Sequence, residues 1–514
     1  MAIFELIRTA ETNHRQLNLK NPATLDSLGS LNCANKEDIQ FAVAAARKAQ
    51  PQWAALSVRE RAQYLYRLRD QIMDNQEELI QTVIAETGKC YSDALTMEVY
   101  ATCDAISYFA KRAHKFLKTQ TKPLHGVFRL LKKLTIVYKP LGVVGIISPW
   151  NGPFVLSTNP AIQALLAGNA VIVKGSEVTP KSAKILEKFC RQAGFPEGVL
   201  QVLEGDGQTG ADLIASGVDK ISFTGSVATG RKVAMACGQL LIPVSLELGG
   251  KDAMIVCADA DIDRAVAGAL IGSCMNTGHY CCGTERIYVV ESVYDEFLQK
   301  VVAQAKQLRQ GQEHGESEDV GAVFWDKQMT IIENHVNEAK YDGATIHVGG
   351  ERDATKAGLY YKPTVMTEVT HAMTIMQEET FGPIVCIMKV RNEEEALKLA
   401  NDSRFGLNGN VWSQDKNRAL EIATRMDTGS VCINDMAVTY GVPAAPFGGV
   451  KESGVGQVNG GEQGLRGYCH ALPIISDRFG GELQGGYPFT PEKIAQMKKF
   501  MNFLWKTKIG KIFH

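Results

Sequence analysis

The chain has 514 residues, 45% of them hydrophobic and 22% charged, with a formal net charge of −1. That is the composition of a globular protein of two or three domains, and a charge so near zero gives no electrostatic case for a nucleic-acid partner. The 12 cysteines form no CxxC pair and no metal-ligand spacing with histidine, and no run approaches the ~20 apolar residues of a membrane span.

Up to about residue 120 the chain reads as amphipathic helices. The spacing predicts one over 37–50, ending before Pro51, and one over 57–73 behind the capping box of Ser57 and Glu60. A third, over 77–86, stops at Thr87 and Gly88. From Leu134 the pattern becomes β-branched. Strands are predicted over 134–138, 142–148, 170–174, 199–203 and 220–223. Helices separate them from 142 onward, one capped by Thr179-Pro180 and ending near Gly194. Strands alternating with helices predict parallel βαβ units in an α/β, doubly wound sheet, whose ligands bind at the carboxyl ends of strands. Asn151, Lys174 to Glu177, and Thr224-Gly225-Ser226 stand at such ends. The turn from Gly225 to Gly230 is either a plain strand–helix turn or a helix N-terminus able to hold a pyrophosphate. Glu247 lies in an apolar run before Gly249-Gly250. It either turns outward or is a base whose pKa burial has raised.

A predicted helix over 261–274 and a strand over 286–290 enclose a glycine-flanked turn with two adjacent cysteines, Cys281 and Cys282. Adjacent thiols can fill space in a core. Equally, a cysteine in a cleft ringed by backbone N–H groups suits a thiolate nucleophile. Beyond the turn a second α/β region is expected, with helices over 293–310, 327–340, 392–400 and 416–426. A Gly/Glu-rich loop follows the first of these, and strands are expected over 345–348, 410–412 and 430–434. Residues 378–385 read as a strand entry with an exposed Phe381.

Seven segments then stand in one order: Pro149-Trp150-Asn151, Lys174-Gly175-Ser176-Glu177, Phe223-Thr224-Gly225-Ser226, Leu246 to Lys251, the cysteine turn, Glu379 to Pro383, and Pro446-Phe447-Gly448-Gly449. Through them the chain resembles the aldehyde dehydrogenase superfamily from about Asn21 to Tyr468. The resemblance implies a Rossmann-like NAD-binding domain (1–118 and 140–248) and a second α/β catalytic domain (249–448). It also implies a small β-flap oligomerisation element (119–139 and 449–476), which leaves 477–514 as a C-terminal extension. The family register between Gly278 and Arg286 selects Cys281 as nucleophile, with Cys282 as its packing neighbour. Glu247 would activate water, and the Asn151 side chain with the Cys281 N–H would form an oxyanion hole. The implied reaction takes an aldehyde through a thiohemiacetal and a thioester to a carboxylic acid. Glu247 counts against a CoA-acylating relative, and the three intact residues count against a non-catalytic one.

For the cofactor, the resemblance implies Ile147, Ser148, Pro149, Trp150, Lys174, Ser176, Glu177, Gly207, Phe223, Thr224, Gly225, Ser226, Leu248 and Gly249. Lys174 and Glu177 would hold the adenosine ribose, Glu379 the nicotinamide ribose, and Phe381 would back the ring. NAD is expected over NADP, because the Glu177 carboxylate bonds a 2′-hydroxyl and repels a phosphate. The implied substrate pocket is Phe154, Leu156, Asn159, Met275, Tyr280 and Cys282. Semialdehyde-binding members carry arginines where this chain has Asn159 and Met275. An uncharged aliphatic or aromatic aldehyde is therefore expected, with succinate semialdehyde as the alternative. Lys251 is expected to be structural. His279 replaces the family's usual Gln; it either supports the turn or tunes the thiol.

In the tail, Thr490-Pro491-Glu492 opens a predicted helix. Ile494, Met497, Met501 and Leu504 form an apolar stripe, and Lys498, Lys499, Lys506, Lys508 and Lys511 make the other face basic. Such a helix packs on protein or lies on a membrane surface; residues 124–134 form a second basic, apolar stretch. The N-terminus lacks the basic and apolar regions of a secretory leader. The expectation is a cytoplasmic homodimer or homotetramer whose tail either packs on its own subunit or a neighbour or makes peripheral membrane contact.

Overall fold

A computed structural model describes residues 15–311, 317–436, 438–480 and 486–513. The N-terminal residues read for a leader and the heart of the Gly/Glu-rich loop (312–316) lie outside the described residues.

The first 120 residues are not all helical. Strands β1 (Gln16–Lys20) and β2 (Ser27–Asn32) pair antiparallel, and β3 (Gln120–Lys122) pairs with β4 (Lys132–Pro140). Only Leu17 and Leu19 mark β1 as apolar-alternating, too short a signal to be read as a strand. Helices Val58–Asp74 and Gln76–Thr87 form as the spacing predicts, with the Ser57 capping box at one start and Gly88 at φ 68° at the other's end.

The helix expected to stop before Pro51 instead runs from Lys36 to Ala55. A proline inside a helix removes one hydrogen bond, and tertiary contacts offset that loss. Trp53 is buried, and its Nε1 donates to the Leu165 carbonyl at 2.9 Å. The buried Arg61 guanidinium donates to the Ala54 and Leu56 carbonyls that end the helix. A second correction concerns the helix Pro180–Gln192, where Thr179 makes no side-chain cap. The buried Glu86 carboxylate caps it from another helix, accepting the N–H groups of Lys181 (2.9 Å) and Ser182 (2.7 Å).

Five parallel strands follow: β5 (Val143–Ile147), β6 (Ala170–Lys174), β7 (Leu200–Leu203), β8 (Lys220–Thr224) and β9 (Val244–Glu247). Their order is β9-β8-β5-β6-β7. The second sheet is built from β10 (Asp252–Val256), β11 (Thr284–Val290), β12 (Thr345–Val348), β13 (Thr364–Thr367), β14 (Ile384–Val390), β15 (Gly409–Trp412) and β16 (Cys432–Ile433). Its order is β12-β13-β14-β11-β10-β15-β16, with only β12 antiparallel to its neighbour. The order reverses on both sides of β5 and of β10, as in doubly wound folds.

Then β17 (Gly454–Val455) closes the first sheet, antiparallel to β9. Gly454 and Val455, expected in the flap element, thus belong to the first sheet. Last, β18 (Cys469–Asp477) pairs with β4 along its whole length.

Two further expectations are corrected. The helix predicted over 293–310 spans Glu291–Ala305, because Asp319 binds the backbone and guanidinium of Arg309 and draws the chain out of helical form. The strand predicted within 378–385 starts only at Ile384. Before it, the Glu285 carboxylate takes the N–H groups of Thr380 (2.8 Å) and Phe381 (2.9 Å), and Phe381 sits at φ 52°.

Candidate active site

The helix Ile262–Cys274 and β11 enclose the cysteine turn. It opens with one 3-10 turn, Met275–Gly278, in which Asn276 and Thr277 have φ of 55° and 57°. Side-chain-bearing residues rarely adopt this region. Asn276 is held there by its own carboxamide, whose Nδ2 donates to the carbonyls of Asn151 (2.9 Å) and His279 (2.7 Å). Gly278, at φ 76°, admits no side chain, since a Cβ would collide with the Gly382 carbonyl. Cys281 follows, half-buried, while Cys282 is buried in an apolar cluster with Leu156, Met436, Tyr440 and Phe447.

Glu247 ends β9 and is buried, and neither carboxylate oxygen has a hydrogen-bond partner that meets normal geometry. Burial pushes its pKa up to about 7, opposed by the nearby Cys281 thiol. A hydrogen bond with Cys282, then burial, then the Glu247 carboxylate hold the Cys281 thiol well above its ordinary range. The resting site therefore pairs a protonated thiol with a carboxyl poised near neutrality. Asn151 is buried in the loop after β5 and spends one side-chain N–H on the His279 carbonyl at 3.1 Å, which leaves the other.

His279 resolves in favour of support. The Phe324 N–H donates to Nε2 at 3.3 Å, so the ring proton sits on Nδ1, 2.7 Å from the Phe381 carbonyl. Burial pushes its pKa down to about 3, which keeps the ring neutral. The ring meets Phe324 edge-on at 4.5 Å and stacks on Phe381 at 5.6 Å. His279 is thus a neutral spacer that fixes the turn against the Phe381 loop.

One cleft gathers Pro149, Trp150, Asn151, Thr224, Gly225, Ser226, Glu247, Leu248, Gly249, Cys281, Glu379 and Phe381, all named from the sequence, with Gln328 and Ile331. Phe223 lies beneath it in the core; a Cβ on Gly225 would press on that ring at 2.7 Å. Ser226 caps the helix Val227–Leu240. Ile147 ends β5 and Ser148 follows it, both buried, with the Ser148 hydroxyl 2.7 Å from that of Ser157. At the end of β6, Lys174 lies 3.4 Å from Glu177, and burial lowers its pKa against the pull of that carboxylate. The Ser176 hydroxyl accepts the Val178 N–H at 3.2 Å. Gly207 opens the helix Gly207–Ala215, exposed beside its cap Asp206. Glu177 also borders a separate cavity with Gln16, Leu19, Phe324 and Trp325.

Glu379 accepts the Gly250 N–H at 3.1 Å, and burial with the nearby Glu285 pushes its pKa up to about 8. Lys251, expected to be structural, is buried with its ammonium bonded to Glu285 at 2.5 Å and to the Thr380 hydroxyl at 3.2 Å.

Of the residues expected around the substrate, Leu156 and Cys282 share one apolar cluster, against which Tyr280 packs. Met275 is half-buried, and Asn159 donates to the Tyr440 hydroxyl at 3.3 Å. Phe154 is a correction: it is fully buried in a different cluster, 6.4 Å from Phe189. It immediately precedes the helix Val155–Ala167, and its N–H is taken by Glu98, which turns the ring into the first domain's core.

Sequence reasoning missed Tyr440, Glu285, Gln328, Asn276, Lys89 and Glu98. An Asn before the glycine turn was a readable signal for Asn276, whose side chain tolerates positive φ. The others act across long sequence separations and leave no local pattern.

The model of the aldehyde dehydrogenase family matches residues 8–472. Methylomonas sp has a protein named 4,4'-diapolycopene aldehyde oxidase that is 38% identical over 469 residues, 91% of this chain and 87% of that one. A protein of Mycobacterium ulcerans whose name proposes succinate-semialdehyde dehydrogenase activity with NADP(+) is 37% identical over 443 residues, 86% of this chain and 85% of that one. Among solved structures, the Mycobacterium tuberculosis aldehyde dehydrogenase complexed with NAD+ superposes with a TM-score of 0.85 at 33% identity, covering 90% of this chain and 95% of that one.

Proposed function

The chain belongs to the aldehyde dehydrogenase family and oxidises aldehydes with NAD(P); from that premise we propose that Cys281, Asn151 and Glu247 carry out the chemistry. The observation that carries this reading is the meeting of Cys281, Glu247 and Asn151 in one cleft, with a carboxyl near neutrality facing a thiol.

The cleft fits the cofactor. The helix Val227–Leu240 offers free N–H groups to phosphates. Gly225 and Gly249 keep open space that an added Cβ would lose against Phe223 and Glu379. Glu379 lines the cleft and Glu177 stands just after β6 beside Lys174, the two groups assigned to the ribose hydroxyls. NAD(P), bound there, supplies the acceptor for the hydride released on aldehyde oxidation.

The protein does the rest. Glu247 takes the Cys281 proton, and the sulfur adds to the aldehyde carbon. The remaining Asn151 N–H and the Cys281 backbone N–H hold the oxyanion. Glu247 gives that proton up to solvent, and in the thioester that follows it takes a proton from water, which attacks the acyl carbon; the sulfur leaves and recovers the proton from Glu247, freeing the acid and the thiol.

NAD is the preferred form, because the Glu177 carboxylate stands beside Lys174 where a 2′-phosphate would meet it. Domains 1–118 with 140–248 bind the cofactor, 249–448 carries the nucleophile, and 119–139 with most of 449–476 bridges subunits. The outer edge of the nine-residue β18, which pairs with no other strand among the described residues in the order β18-β4-β3, supports a homodimer or homotetramer.

For the substrate, Asn159 and Met275 provide no cation, and apolar side chains surround Cys282. This favours an uncharged aliphatic or aromatic aldehyde. The C-terminal helix Pro491–Lys506 is exposed at every residue but Leu504 and carries Ile494, Met497, Phe500 and Met501 beside Lys493, Lys498 and Lys499. This combination supports peripheral contact with anionic membranes, for a protein expected in the cytoplasm. A steady-state panel of hexanal, decanal, benzaldehyde and succinate semialdehyde, each with NAD and NADP, tests the substrate reading. Decanal with NAD should rank above succinate semialdehyde with either; a strong preference for the semialdehyde would overturn it.

A further inference from the structure

We propose that the buried ion pair Lys89–Glu98 positions the Asn151 loop and, through it, the oxyanion donor; the inference rests on the role assigned to Asn151 above. Both side chains are fully buried, with Lys89 Nζ 2.7 Å from Glu98 Oε1. Lys89 follows the glycine that ends the helix Gln76–Thr87, and Glu98 projects from a π-helical turn, Ala94–Tyr100. Such turns interrupt regular helices at functional sites.

The pair grips one short loop at both ends. Lys89 Nζ donates to the Asn151 carbonyl at 3.1 Å. Glu98 Oε2 accepts the N–H groups of Phe154 (3.1 Å) and Val155 (2.8 Å), where the next helix begins. The same Asn151 carbonyl accepts from Asn276 Nδ2 at 2.9 Å, and Asn276 belongs to the cysteine turn. One backbone oxygen therefore ties the oxyanion loop to the nucleophile turn, with the buried ammonium as its second donor. Lys89 Nζ also lies 5.5 Å from the centroid of Phe324, the ring that packs on His279.

A purely structural ion pair predicts something different. Buried pairs are often replaceable by apolar residues without loss of stability. What an apolar pair cannot supply is the set of three hydrogen bonds that fix the Asn151 loop. Displacing a positioning group by about 1 Å can cost about 10²-fold in rate.

The test is the charge-neutral double variant Lys89→Met/Glu98→Gln in the full chain, made with and without Asn151→Ala. In the otherwise native chain kcat with decanal should fall about 10²-fold, the size of a lost or misplaced oxyanion donor. NAD binding, followed by tryptophan fluorescence, and the rate of Cys281 alkylation by iodoacetamide should not change. In the Asn151→Ala background the double variant should cost nothing further, because the two act through one group. An equal loss in both backgrounds, a loss of NAD binding in step with kcat, or no loss at all would overturn the proposal.

Glu98→Asp gives an independent handle if the double variant does not fold, since it keeps the charge pair, draws the carboxylate back from the Phe154 and Val155 N–H groups and leaves the cysteine turn untouched. It should also lower kcat, with no further loss on top of Asn151→Ala; an additive loss counts against the assignment. Turnover by the unaltered chain is the control that separates failure of this inference from failure of the proposed reaction.

Discussion

At the scale of single residues, the site depends on a carboxylate that nothing neutralises. Glu247 has no hydrogen-bond partner of normal geometry, and burial holds its pKa near 7 instead of the ordinary 4.5. The folded chain therefore keeps a proton that the unfolded chain has already released between those values. The resulting stability is fully present below about pH 4.5 and is lost as the pH rises through 7. In the limit the loss approaches about 3 kcal/mol. Glu247→Gln removes this dependence. The variant should be more stable than the native chain at pH 8 to 9 and should lose that advantage toward pH 4.5, measured as the difference in denaturation midpoints. An identical pH dependence in both proteins would mean that the carboxylate is not desolvated as described. The sequence showed this residue as a carboxylate in an apolar run, open to two readings. Only the pairing of β9 with β8 and β17 decides that it faces inward.

At the scale of elements, helix ends and strand starts are fixed by side chains far away in sequence. Arg61 is buried and donates to the carbonyls of Ala54, Leu56 and Leu166, so one guanidinium ends a helix and fastens it to the helix Val155–Ala167. Burial lowers its pKa to about 10, still charged at neutral pH. Arg61→Met leaves those carbonyls without a donor and should cost about 2–4 kcal/mol, read as a fall in thermal midpoint. An unchanged midpoint would contradict this account of why the helix passes Pro51. The same physics explains what was legible in the sequence. Capping boxes, the Gly88 stop and the apolar runs of β5, β6 and β8 are local signals, and the elements form where those signals stand. The Glu86 cap on a distant helix and the Glu285 grip on Thr380 and Phe381 are not local, so the predicted boundaries moved there. The catalytic candidates were readable as motifs. The groups that hold them, Lys89, Glu98, Asn276 and Glu285, come from other elements and became visible only in the fold.

At the scale of the whole molecule, the two sheets meet at residues 248–251, between the last residue of β9 and the first of β10. That junction places Glu247 at the carboxyl end of β9 in one sheet and Cys281 just ahead of β11 in the other, both lining one cleft. The C-terminal helix stands apart from this core and contributes an exposed apolar and basic surface. Removing residues 486–514 should abolish co-sedimentation with anionic vesicles and leave turnover of hexanal in solution unchanged. Full-length chain that fails to bind such vesicles at low salt would refute the membrane reading.

The central claim is that Cys281 carries the acyl group and that Glu247 releases it. Glu247→Gln, incubated with NAD and hexanal at alkaline pH, where solvent base can ionise the Cys281 thiol in place of Glu247, should slowly form about one equivalent of reduced cofactor per active site and then stall. Intact-mass and peptide analysis should show one acyl group on Cys281. Steady turnover by this variant with no trapped thioester, or an acyl group found on Cys282, would contradict the account.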